Sequence, residues 1–180
     1  MAAQELKPGT WTIDPTHSVI GFSVRHMMVS KVRGRFEKFE ATLTVPEDAT
    51  LASVEATIDA GSINTDNGDR DNHIRSADFF HVEEHPQFAF RSTGIEAKGE
   101  DFVLKGELTI KGKTNPVELT LEFNGSTLDP YGLTRAGFTA STQISRKDFG
   151  VDIEMPMDGG GVVVGDKITI DIDAEFTHQA

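Results

Sequence analysis

The 180-residue chain contains no cysteine, which excludes a disulfide scaffold and any thiolate metal site. It has one tryptophan and one tyrosine, too few for a recognition surface built on amphipathic aromatics. No apolar run approaches the roughly 18 residues of a membrane-spanning helix. The first residues, Met1 to Gly9, hold no apolar stretch of about seven residues, so no signal peptide is visible and a cytoplasmic location is expected. Positive charge is scarce, with 17 Lys and Arg against 29 Asp and Glu and a net charge of −12. A field of that sign repels phosphate, and no basic cluster is expected to relieve it. That argues against nucleic acid, anionic membrane surfaces and stable membrane insertion; the charge serves solubility.

What the chain has in excess is phenylalanine, with 12 residues. Phe supplies apolar area without a polar handle, which favours a thick core or an apolar cavity. The length suits one domain, placed at residues 5–178.

Most of that domain alternates with period two. Ser18, Ile20, Phe22, Val24 and His26 face one way and Val19, Gly21, Ser23 and Arg25 the other. The same holds for Phe39 to Val45, Val54 to Ala60, Phe88 to Ser92, Phe102 to Ile110, Val117 to Phe123, Ala136 to Ile144 and Ile168 to Phe176. Turn residues such as Pro46, Asp48 and the Lys111–Pro116 stretch separate them. No helical run is long, and nothing repeats every 20–50 residues. Strands with one apolar face are antiparallel and half-buried. The expectation is an all-β fold, a sandwich or a closed antiparallel barrel of about eight strands. Phe22, Phe36, Phe88, Phe90, Phe138 and Ile144 form its inward row, among Ala and Gly. Such a row gives either a packed interior or a tunnel.

One stretch breaks the pattern. Ile63 to Phe80 carries a dense polar block and ends on two aromatics. Asp71, Ile74 and Asp78 fall at offsets of three and four, which predicts a short helix near residues 70–80 with Ile74 as its apolar contact. It covers one end of a barrel, or is an ordinary helical connection plugging the core.

Several chemical motifs are weaker than they look. His81-Val82-Glu83-Glu84-His85 matches a zinc-protease pattern that needs a helix. Pro86 pushes His85 out of helical geometry, so an extended turn is expected. Asp14, His17 and Ser18 suggest a triad, yet neighbours in a strand point to opposite faces, and a structural Asp14–His17 hydrogen bond is expected instead. The glycine-rich run Asp158 to Asp166 has no helix after it to hold a phosphate, and reads as a loop.

Together the motifs resemble the YceI-like proteins over nearly the whole chain. The similarity rests on Trp11-x-Ile13-Asp14-x-x-His17-Ser18 through His26, on Val32-x-Gly34-x-Phe36, and on Ile63-Asn64-Thr65 followed by Arg70-Asp71-x-His73-Ile74-Arg75-Ser76-x-Asp78-Phe79-Phe80. Leu108 to Val117, Ser145-Arg146-Lys147-Asp148-Phe149-Gly150 and Val164 to Glu175 follow in the same order. The resemblance implies a lipocalin-like barrel that binds polyisoprenoid or similar amphiphiles, such as isoprenoid quinone-like lipids, in an elongated apolar pore. It implies carriers or stores rather than enzymes, with no cofactor and often as dimers. The pore lining is then expected from Phe22, Val24, Phe36, Phe88, Phe90, Leu108, Ile110, Phe138, Ile144 and Phe149, with Phe79 and Phe80 flanking its covered end. His17, Arg75 and Asp78 are expected as polar anchors, for a head group or, the favoured role, for the central segment. The alternative is an enzyme acting on a hydrophobic small molecule with His17 or His73 as acid–base.

Overall fold

The computed structural model describes residues 6–153 and 164–179. Alternation has produced strands β1 (Gly9–Ile13), β2 (Val19–His26), β3 (Ser30–Phe36), β4 (Phe39–Val45), β5 (Ser53–Asp59), β6 (Ile63–Asn64), β7 (Gln87–Lys98), β8 (Asp101–Ile110), β9 (Lys113–Leu128), β10 (Thr134–Ser145) and β11 (Val164–Gln179). All pair antiparallel. The order β1-β4-β5-β7-β8-β9-β10-β11 returns from β11 to β1, closing an eight-stranded barrel. Closure removes the edges of those eight strands, while β2, β3 and β6 continue the sheet from β11.

β11 spans two partners: Phe176 to Gln179 face β1, and Val164 to Asp173 face β2. β1 and β2 thus serve as one strand broken at Pro15. The break is a single 3-10 turn, Pro15–His17, whose N-cap Asp14 accepts from the Thr16 amide at 3.0 Å. β3 is less legible in the sequence because Gly34 stands where a bulky residue would. A Cβ there would lie 2.5 Å from Cζ of Phe22 and 2.9 Å from Cγ2 of Thr65, so the Phe22 ring fills the gap.

Strand directions sort the loops. The β4–β5, β7–β8 and β9–β10 connections lie at one end. At the other lie the β2–β3 turn, the β8–β9 turn, the start of β11 and residues 60–86. Contacts tie this second group together. Gly112 faces His85, Lys111 donates to the Gly150 carbonyl at 3.3 Å, and Arg146 donates to the Gly165 carbonyl at 2.9 Å.

The one helix among the described residues, α1 (Gly68–Arg75), covers this end. It is shorter than the expected 70–80, so Asp78 lies beyond it. Asn67 caps it by accepting from the Arg70 amide at 3.0 Å. Ser76 ends it by turning extended and donating to the His73 carbonyl. Buried Asp71 accepts from the Thr65 amide at 3.0 Å and from its hydroxyl, binding the helix to β6. Beyond α1, His81–His85 forms one tight turn, with the His85 amide on the His81 carbonyl at 2.9 Å. It is compact rather than extended, and no helix aligns the two imidazoles.

The core runs along the inner faces. Trp11 is 0 % exposed and donates from Nε1 to the Lys7 carbonyl at 3.0 Å.

Candidate functional site

Inside the barrel lies a cavity of about 520 Å³, within the roughly 300–1,000 Å³ of small-molecule sites. Its lining reaches along β7 from Phe88 to Ala97. At about 3.3 Å per residue that is about 30 Å of strand, or about 23 Å of axis at the usual tilt of roughly 40°. Of the 12 phenylalanines, all but Phe39 line it. Seven of them pack ring against ring in two groups. Phe36 stacks with Phe22, Phe80 and Phe88 at centroid separations of 5.7, 6.3 and 5.4 Å, while Phe138 meets Phe123 and Phe176 at 5.2 and 5.9 Å. Both groups face the same void.

The twelve apolar positions expected in the pore all border it: Phe22, Val24, Phe36, Phe79, Phe80, Phe88, Phe90, Leu108, Ile110, Phe138, Ile144 and Phe149. The three expected polar anchors do not. Arg75 donates to the Gly61 and Ile63 carbonyls at 2.8 and 3.2 Å, fastening α1 to the chain before it. Asp78 sits 3.0 Å from His73 on an exposed flank. His17 touches neither cavity nor helix. It holds the β1–β2 corner through Asp14 at 2.8 Å. Ser18 faces elsewhere, bonded to the Glu175 backbone, so no triad forms.

Asp14, His17 and Glu175 place three metal-type ligand atoms within 4.8 Å of one another. The Arg135 guanidinium occupies that ground, 2.8 Å from Asp14, 3.0 Å from Glu175 and 2.8 Å from Asp129. The cation this cluster wants is already covalently present. The hydrogen bond from His17 above all, then those from Arg135 and the Thr16 amide, hold the Asp14 carboxyl down at about 2, from an ordinary 3.8. A carboxyl lowered on folding stabilises the fold above its unfolded pKa and loses that contribution as pH falls through the folded one. The melting temperature is therefore expected to drop between about pH 4 and about pH 2, more steeply than in Asp14→Asn, with the gap between the two closing by pH 2.

Among the described residues the cavity carries ionisable side chains at one end only, although Thr50 and Ser53 line the other end. Its ionisable lining residues are Arg25, His26, Arg70, His73 and Arg146, all at the α1 end, and none is acidic. Arg146 is the buried one, at 5 % exposure. Its guanidinium donates to the carbonyls of Gly165 at 2.9 Å, Val151 at 2.7 Å and Val164 at 3.3 Å, with no carboxylate partner among the described residues. The sequence signal for it was only its place in the Ser145–Gly150 motif. The glycine-rich run from 158 to 163 lies outside the described residues.

A family model of the YceI-like domain matches residues 11–176. The chain belongs to the YceI family. A UPF0312 protein of Staphylococcus epidermidis is 38 % identical over 169 residues, covering 93 % of this chain and 96 % of that protein. BcnA of Burkholderia cenocepacia has the same fold, with a TM-score of 0.77 at 25 % identity over 91 % of this chain and 98 % of that one. A polyisoprenoid binding domain from Saccharophagus degradans shares the fold alone, with a TM-score of 0.67 at 15 % identity over 94 % and 98 % of the two chains. The YceI barrel of this chain differs from a filled one in a specific way: small residues such as Ala140 and Ala174 face the void.

Proposed function

We propose that this protein is a non-catalytic carrier or store for one long apolar chain, of isoprenoid type, laid along the barrel axis. The observation that carries this reading is the elongated apolar cavity with ionisable residues at one end only. An amphiphile matches that polarity. Its tail gains roughly 0.8 kcal/mol per methylene removed from water, before ordering costs. Its head, an electron-rich carbonyl or an anion, meets His26 and Arg146 at the α1 end. The binding named for the Saccharophagus domain, on the same fold, supports the choice of an isoprenoid.

A catalytic role for His17 finds no support, since His17 lies away from the cavity. His73 lines it, but its carboxylate partner, Asp78, sits on the exposed side. Native mass spectrometry of the protein incubated with a polyprenol or an isoprenoid quinone tests the reading. One ligand per barrel is expected, in wild type and in His17→Gln and His73→Gln alike. A barrel that takes up neither lipid, or one that converts it and stops doing so in His73→Gln, overturns it.

A further inference from the structure

The turn joining β2 to β3 presents a combination found at no other turn among the described residues. Met27, Met28 and Val29 at its tip are 41, 50 and 84 % exposed. Met27 and Met28 have φ of 53° and 65°, and the Val29 amide bonds the His26 carbonyl at 3.2 Å. That is the geometry Asn-Gly adopts without strain. Two methionines adopt it against steric preference, so the tip keeps large apolar side chains in water at a cost to the fold.

The stem is basic. From Pro15 to Phe36 the chain has four Lys and Arg and no acid. The remaining residues therefore carry 13 of the 17 cations and all 29 acids, a net of 13 − 29 = −16. A basic cluster thus does exist, contrary to expectation from the overall charge. Arg25 stands directly opposite Lys31, with Arg33 two residues along. Like charges facing across strands repel, and none of the three has a carboxylate partner among the described residues. Asp166, on the adjoining start of β11, is taken up by Ser145 Oγ at 2.7 Å and the Lys147 amide at 3.3 Å.

The same hairpin is a wall of the cavity. The lining runs out along β2 to Arg25 and His26, and Arg25 is solvent-exposed. The polar end of the cavity therefore abuts Met27.

We infer that this hairpin tip docks the protein on bilayers containing anionic lipid, with Met27, Met28 and Val29 among the head groups and Arg25, Lys31 and Arg33 against their charges. This rests on the cavity holding a membrane-derived chain, since docking here sets its polar end against the source of that chain. The acidic body does not forbid it. At physiological salt, charges farther than about 8 Å are screened, and the lipid surface responds to the cations nearest it.

Vesicle sedimentation tests the inference on the full chain. Binding is expected to vesicles of neutral phosphatidylcholine with one-third phosphatidylglycerol, not to phosphatidylcholine alone, and to vanish in high salt. Each cation near such a surface changes partitioning roughly fivefold, so Arg25→Gln/Lys31→Gln/Arg33→Gln should bind about a hundredfold more weakly. Met27→Asn/Met28→Gly relaxes the turn. It should melt no lower than wild type and still lose most vesicle binding. Failure of wild type to bind, or unchanged binding in both variants, overturns the inference. So does loss of a dimer in the variants without any vesicle binding, which would make a second copy the occupant. Uptake of a polyprenol from detergent solution is read in parallel. Met27→Asn/Met28→Gly, which touches no lining residue, keeps the cavity reading intact if it loads but no longer docks, and a wild type that docks but never loads defeats that reading alone.

Discussion

Ala140→Phe is expected to lower affinity for a long isoprenoid about a thousandfold while leaving the barrel folded. Ala140 lies mid-strand on β10, opposite Leu121 on β9 and Ile172 on β11. Its methyl faces the cavity. A ring in that place divides the tunnel, and an entering tail stops near the midpoint. Losing five buried methylenes at roughly 0.8 kcal/mol each costs about 4 kcal/mol, which is about a thousandfold in affinity. Stability moves the other way or not at all, because the ring enters empty space instead of overpacking a filled core. The measurements are a binding isotherm with a quinone or polyprenol and a thermal melt. An unchanged isotherm beside an unchanged or raised melting point would place the ligand outside the barrel. A short-chain analogue, filling only the half nearest Arg146, should bind the variant and wild type equally.

That an apolar interior existed was legible in the alternation; that it was hollow was expected only from the family resemblance. Alternation reports which face a side chain takes, because successive residues on a strand point oppositely. It says nothing of how far apart opposite walls stand. That distance depends on strand number and stagger, and on pairings such as β1 with β11, which link the first and last strands of the chain. Gly34 and Gly106 show a related limit. Each leaves room for an aromatic ring across the sheet, Phe22 and Phe90 respectively, and a residue-by-residue reading treats those glycines as gaps. The helix was legible in kind, from the offsets of Asp71, Ile74 and Asp78. Its end was misjudged because Ser76 satisfies the His73 carbonyl and stops the turn before Asp78. Of the expected polar anchors, Arg75 and Asp78 bond the central segment, the favoured role, through the Gly61 and Ile63 carbonyls and His73, while His17 bonds Asp14 at the β1–β2 corner instead.

Arg146 shows the reverse case, an ordinary-looking residue carrying a large share of the α1 end. Two effects oppose each other there. Burying a guanidinium with no carboxylate beside it among the described residues is unfavourable, so Arg146→Met would relieve a cost. Against that, three backbone carbonyls, of Val151, Val164 and Gly165, lose their donor at once. Each stranded buried acceptor costs about 1–3 kcal/mol, so the second effect wins. Arg146→Met is expected to lower stability by about 3–5 kcal/mol, close to the usual cost of removing one partner from a buried charged network. Arg146→Lys, a single ammonium that cannot span all three carbonyls, should lose about half as much. Equilibrium denaturation of both variants gives the numbers. The carbonyls concerned tie the turn after β10 to the start of β11, at the polar end of the cavity. Local loosening there should therefore speed ligand release before it unfolds the barrel. Hydrogen exchange in Arg146→Lys is expected to rise at Val151, Val164 and Gly165 and to stay at wild-type levels around Trp11. A uniform rise across the barrel would show instead that the guanidinium supports the global fold and not the polar end alone.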